Sequence, residues 1–173
     1  IVICFFGAEE TPRMEGSYYF VKSDYMRRLV PVVLINFDMV GRGGRDTLSV
    51  LGARHNSAFE RESPTLFRLV GDMNTERLVI VNTDSTAPDG IINKFTGSFG
   101  RTDSWNFYLR DISVLFFFTG IHVDYHLPAD TAEKLDYEKL ARIARLGFRI
   151  GLRLAANDVW PVINRDSVYV DLR

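Results

Sequence analysis

"ISVLFFFTG", residues 112–120, is an unbroken apolar run that ends on a glycine and hands over to the polar stretch "IHVDYHLPADT", residues 121–131. A short apolar run without alternation reads as a strand covered on both faces. Directly after its carboxyl end come His122, Asp124, His126 and Asp130, and two of the chain's three histidines are among them. Spacing alone leaves three readings open: a metal site, a catalytic dyad, or a polar loop. On a helix His122 and His126 would share a face, as in the paired-histidine zinc motif. Pro128 and the preceding strand favour a loop instead.

Working outward, "IVICFF" (1–6) and "VPVVLINFDMV" (30–40) are runs of the same kind and predict two more buried strands. The glycine-rich turn "GRGGRD" ends the second, "TLSVLGA" predicts a third, shorter strand, and "RLVIVNT" another. Helices are expected in "SYYFVKSDYMRRL", in "SPTLFRLVGDMN" with Ser63 as N-cap and Pro64 in the first position, and in "DSWNFYLRD". From Asp136 onward Leu140, Ile143, Ala144, Gly147, Ile150, Gly151 and Leu154 recur at helical spacing. That pattern predicts an amphipathic helix of about five turns, with lysines and arginines on its outer face. Residues 83–103, rich in Gly, Ser, Thr and Asp, read as a long surface loop of the kind that borders a site. Strands alternating with helices point to an α/β domain with helices on both faces of the sheet.

With 173 residues the chain has the size of one domain, and 46% hydrophobic residues suit an ordinary globular core. A net charge of −1 offers no electrostatic footprint for nucleic acid or a membrane surface. The apolar runs are too short to span a bilayer. Cys4, the only cysteine, excludes an intrachain disulfide and a Cys-rich zinc site; its place in "IVICFF" suggests a small buried apolar residue. The chain opens in what reads as mid-strand, with neither Met nor a signal sequence, so a fragment or a processed product is expected.

In such a sheet, ligands bind outside the carboxyl ends of the strands. Glu9–Glu10 follow the first expected strand, Asp38 ends the second, and His122 to Asp130 follow "SVLFFFTG". Paired carboxylates after a buried strand are costly unless they face water or a cation. One of them could bind a metal while the other stays free as a general base; both could equally be solvated turn residues. Asp38, between apolar neighbours, is either a ligand or the cap of a helix or turn.

Taken together, "FFGAEE…EGS", "INFDMVGR", "GRTDSWNFY", "VLFFFTGIHVDYHLPADT" and "LDYEKLARIARL" resemble, in order, the landmarks of the M28 family of zinc-dependent aminopeptidases. The resemblance implies an α/β fold, the phosphorylase/hydrolase-like sandwich with a mixed β-sheet flanked by helices on both faces. It implies roles as well. Glu9 matches the general base, Glu10 and His126 match ligands of one zinc ion, and Asp38 matches a ligand of the second. His122 and Asp124 are expected at the rim, with Asp103, Ser104, Tyr125 and Asp130 as partners of the ligands or of substrate. The family's first histidine and bridging aspartate belong to a segment that would precede Ile1, so two Zn2+ ions are expected only in the complete domain. His55 is too far from the motif's place to substitute. Ser104 stands where the family usually has a histidine, and "EETPRMEGS" replaces a more apolar turn.

The function these matches imply is release of N-terminal residues from peptides. A glutaminyl cyclase-like activity on the same fold is the alternative, as is a non-catalytic peptidase-like module. Carboxylate and imidazole ligands would also suit cobalt or manganese. The resemblance further implies a periplasmic or extracellular setting, a peptide substrate and no nucleic acid. A sheet edge exposed by a missing segment would favour self-association.

Overall fold

The computed structural model describes residues 1–29, 33–52, 64–81, 101–110 and 112–156. The Ser63 cap, His55 and most of the 83–103 loop lie outside these described residues.

The chain runs α1 (Glu15–Lys22), α2 (Asp24–Arg28), β1 (Val33–Phe37), β2 (Thr47–Leu51), α3 (Pro64–Met73), β3 (Val79–Val81), α4 (Ser104–Tyr108), β4 (Ser113–Phe118) and α5 (Tyr137–Ala155). A 3-10 turn, Ala132–Lys134, precedes α5. The four strands form one mixed sheet in the order β1-β4-β2-β3. β1 runs parallel to β4 with Val33 opposite Ser113 and Phe37 opposite Phe117, β2 runs parallel to β3, and β2 is antiparallel to β4.

"SVLFFF" forms the interior strand β4, buried from Ser113 to Phe117. Its alternate residues feed two cores. Leu115 and Phe117 join Leu48, Val50, Leu66, Leu69, Ile143, Leu146 and Ile150 under α3 and α5. Val114 and Phe116 join Val21, Met26, Phe107 and Tyr108 under α1, α2 and α4. Burying each such large apolar side chain contributes about 1.5–3 kcal/mol. Helices therefore cover both faces of a mixed sheet, the architecture expected of the sequence.

Helix α5 starts where Asp136 caps it, its Oδ1 accepting from the Lys139 backbone N–H at 2.9 Å. Ile143, Gly147 and Ile150 are buried as their spacing implied. Three positions differ. Ala144 is exposed and Leu146 occupies the core, because the buried stripe follows the sheet beneath it. Lys139, expected outside with the other cations, is fully buried; its ammonium donates to the carbonyls of Arg42 and Gly44 at 2.6 and 2.7 Å. Those two carbonyls replace the water its charge would otherwise require.

Residues 1–6 are not a strand. Ile1, Ile3 and Phe5 are 85%, 79% and 95% exposed, and Cys4 is only partly covered. An apolar run becomes a strand only where a neighbour pairs its backbone, and no strand of the described sheet does so here. Phe6 alone turns inward, its ring 5.4 Å from Phe20 and 5.8 Å from Phe107. β1 in turn is an edge strand of the described sheet, half-buried rather than fully covered, with Phe37 exposed. β2, expected to be the shorter strand, matches β1 in length and lies deeper. No helix among the described residues is long and apolar enough to cross a membrane.

Candidate metal and catalytic site

Because β1 and β4 are parallel, Asp38 and the loop after Phe118 emerge at the same end of the sheet. The Asp38 N–H donates to the Phe117 carbonyl at 3.2 Å, which carries the ladder one residue past β1. Thr119 then donates to the Met39 carbonyl from both its N–H (3.3 Å) and its hydroxyl (2.6 Å). Asp38 is thereby fixed between two strand ends.

The turn with Glu9 and Glu10 reaches the same place without a strand. Gly16 N–H donates to the Gly7 carbonyl at 3.1 Å, Met14 N–H to Thr11 at 3.0 Å, and the Thr11 hydroxyl to Ala8 at 2.7 Å. From α4, the Asn106 amide donates to the Arg13 carbonyl (3.0 Å) and the Ser17 hydroxyl (2.8 Å). The third contributor is a run of tight turns after β4, closed by Tyr125 N–H to His122 (3.0 Å), Leu127 N–H to Asp124 (2.9 Å) and Asp130 N–H to Leu127 (3.0 Å).

These segments enclose an open cleft of about 540 Å³, lined by Glu9, Glu10, Asp38, Tyr125 and His126 among others. His126 Nε2 and Glu10 Oε1 stand 2.7 Å apart, joining residues 116 positions apart in sequence. The Tyr125 ring stacks on His126 with centroids 3.8 Å apart. Ala8, Met39 and His126 all have positive φ (56°, 51° and 58°). Backbone strain of this sort persists only where the surroundings impose it, and here it flanks each part of the cleft.

The electrostatics are those of crowded acids. Burial pushes the Glu9 carboxyl up to about 7, with Asp38, Glu10 and Asp103 adding to the rise and Arg101 opposing it. Asp38 is raised by burial and then by Asp103 and Glu10, against the Met39 N–H. Burial raises Asp103 too, against its bonds to Ser17, and its buried Oδ1 has no hydrogen-bond partner. Glu9, Glu10 and Asp38 line one cleft with an imidazole against Glu10, and carboxylate and imidazole are donor types that suit a divalent cation. Beyond the Glu10–His126 pair, no third His, Cys, Asp or Glu donor among the described residues lies within 4.8 Å of both.

Of the other candidates, His122 and Asp130 also line the cleft, whereas Ser104 and Asp124 are not among its lining residues. Ser104 is fully buried, its hydroxyl accepting from the Asn36 amide of β1 at 2.9 Å. Asp130 does not meet His126; it accepts from Arg42 at 2.7 Å and lies 3.6 Å from His122 Nε2. His122 and Asp124, expected at the rim, have side chains only 12% and 13% exposed. Asp124 is held in by Arg42 at 2.6 Å and Lys134 at 2.9 Å, and His122 lies beside Asp130, which Arg42 also binds. His122, Asp124 and Asp130 do bring donors within 4.8 Å of one another. Two cations already neutralise the two carboxylates, so this cluster is an ion-pair knot rather than a metal centre. Arg42, Arg101 and Asn106 escaped the sequence reading. Arg42 lay inside the quoted "INFDMVGR", but nothing local signals partners 82 and 88 residues away.

Helices on both faces of a mixed sheet, with Asp38 and the His126 loop at the carboxyl ends of β1 and β4, define an α/β domain with one acidic cleft. The chain belongs to Peptidase family M28, whose family model matches residues 1–150. Among solved structures it is similar to the LapA aminopeptidase of Legionella pneumophila, with a TM-score of 0.65 at 16% identity, covering 87% of this chain and 38% of that one. It is also similar to BSAP, a zinc aminopeptidase from Bacillus subtilis (TM-score 0.58, 19% identity, 96% and 37% covered). An aminopeptidase from Aneurinibacillus sp. strain AM-1 gives 0.55 at 21% identity, with 94% and 35% covered. The chain thus spans little more than a third of the length of these structures, and the likeness is one of fold. No curated protein matches the sequence.

Proposed function

We propose that this chain carries the catalytic face of a zinc-dependent aminopeptidase, in which Glu10 and His126 hold one ion, Asp38 holds another, and Glu9 is the general base. The observation that carries the reading is the Glu10–His126 contact of 2.7 Å with Glu9 in the same cleft. Zinc bound there would polarise a scissile carbonyl and lower the pKa of an attacking water. The chain's own residues supply the rest. Glu9, next in sequence to a ligand but not itself in contact with His126, is free to accept a proton and pass it to a leaving amine. Tyr125, stacked on His126, limits the ring's rotation and walls one side of the cleft. Arg101 is the cation that faces Glu9 and lines the same space, where a peptide's carbonyl would find a donor.

The substrate class in this reading is a peptide with a free N-terminus, and the setting is the periplasm or the exterior of the cell, as the family resemblance implies. A direct test measures release of 4-nitroaniline from amino acid 4-nitroanilides, with and without a chelator, in the parent and in Glu9→Gln. The reading predicts chelator-sensitive release that Glu9→Gln lowers by about 10²-fold or more. Ring closure of a Gln-peptide without release of amino acids would replace it with the cyclase reading.

A further inference from the structure

Arg42 sits four residues beyond Asp38, and its side chain is only 15% exposed. Its backbone carbonyl accepts from the buried ammonium of Lys139 at 2.6 Å, while the neighbouring Gly41 carbonyl accepts from Asp136 N–H at 2.9 Å. Its guanidinium reaches the other way. Nη2 donates to Asp124 at 2.6 Å and Nη1 to Asp130 at 2.7 Å, two residues before and four residues after His126. A planar fork that bridges two carboxylates fixes both in distance and in orientation, which a lysine cannot do. Between those anchors His126 is held at φ 58°, a conformation that a non-glycine residue keeps only when its surroundings impose it.

We propose that Arg42 is a positioning residue for His126: a strut, footed on α5 through Lys139, that holds the 121–131 loop so that the His126 imidazole meets Glu10. The proposal deepens the metal-binding reading and rests on it for its functional meaning. The geometric claim is separate and concerns only the ring. Removing the fork releases Asp130 and takes one of two cations from Asp124, the loop relaxes out of the left-handed turn, and the imidazole leaves the Glu10 carboxylate. Lys134 retains Asp124 alone, which cannot fix the far side of the loop.

The chain's three histidines make the test tractable. Ring-labelled histidine gives three imidazole NMR signals, assigned with His55→Ala, His122→Ala and His126→Ala, and these are followed in Arg42→Ala, Arg42→Lys and Asp130→Asn. The strut predicts that the His126 signal moves to the position of a free histidine or broadens in Arg42→Ala, shifts part of the way in Asp130→Asn, and partly recovers in Arg42→Lys. A His126 signal that stays put in Arg42→Ala overturns the proposal. Should Arg42→Ala fail to fold, the milder Asp130→Asn decides in the same way. Zinc affinity, read by competition with a chromogenic chelator, is measured on the same samples and should fall about 10–100-fold in Arg42→Ala. A parent that binds no zinc while its His126 signal still depends on Arg42 would remove the metal reading and leave the strut standing. Zinc binding with an unmoved signal would do the reverse.

Discussion

The backbone of Gly16 meets that of Gly7 so closely that a Cβ added at Gly16 would stand 2.3 Å from the Gly7 carbonyl oxygen, the same oxygen that accepts the Gly16 N–H. This contact closes the turn that presents Glu9 and Glu10. Gly16→Ala would gain about 1 kcal/mol of helix propensity in α1. The clash is with backbone, which has no rotamer to yield, and overpacking of this kind costs about 1–3 kcal/mol. Thermal unfolding should therefore show a net loss of stability, and zinc affinity should fall further than in Gly71→Ala, where an added Cβ meets nothing within 4 Å. Equal effects at the two glycines would mean that the turn closes by other contacts.

Asn106 makes a second, chemically sharper case. Its amide nitrogen faces the Arg13 carbonyl, the Ser17 hydroxyl and, at 3.4 Å, the Met14 carbonyl. Asn106→Ala should cost about 1–3 kcal/mol by removing the amide's bonds to the Arg13 carbonyl and the Ser17 hydroxyl, while the Met14 carbonyl keeps the Tyr18 N–H and the Ser17 hydroxyl. Asn106→Asp, nearly identical in shape, puts an acceptor against carbonyl oxygens and should cost more than the alanine. Denaturant titration of the two variants checks the order, and an aspartate as stable as wild type would refute this account of the network.

Acid should loosen the grip of α5 on the segment after α3. Glu76 accepts from Arg145 at 2.8 and 3.1 Å and stands 2.7 Å from Arg149, and those bonds hold its carboxyl down from the ordinary 4.5 to about 2. A depressed carboxylate stabilises the fold fully above its unfolded value and loses that contribution as pH falls through the folded one. The window is therefore from about 4.5 down to about 2. The melting temperature of the parent should decline across it, and Glu76→Gln should be less stable above the window and flatter within it. Parallel curves would show that the pair contributes nothing.

Lys139→Met removes the ammonium but keeps most of the volume. Two carbonyls, of Arg42 and Gly44, lose charge-assisted bonds, and the expected cost is about 2–3 kcal/mol. Hydrogen exchange in residues 41–46 should speed up more than exchange in β4. A uniform change across both would point to global destabilisation without a local anchor.

What could be read from the sequence follows from how local each cause is. β4 and α5 are visible because burial on both faces, or on one face with an N-cap, leaves a continuous or periodic apolar pattern within the segment itself. The carboxylates and histidine of the cleft stand at segment ends, where the handover from apolar to polar marks them. Residues 1–6 misled because strand identity depends on a pairing neighbour, which no apolar run encodes. Lys139 misled because its burial is decided by two carbonyls of a turn 95 and 97 residues away. Arg42, Asn106 and the burial of His122 and Asp124 are long-range facts of the same sort. The burial of Ser104 against Asn36 is another, since its partner lies 68 residues away.

The central claim is that Glu10 and His126 hold a metal together, and the most direct measurement is zinc retained per chain after exhaustive dialysis in the parent, Glu10→Gln and His126→Ala. The account predicts that the parent keeps zinc and that each variant loses it, with folding intact by circular dichroism. Zinc content that is the same in all three chains, whether present or absent, would contradict it.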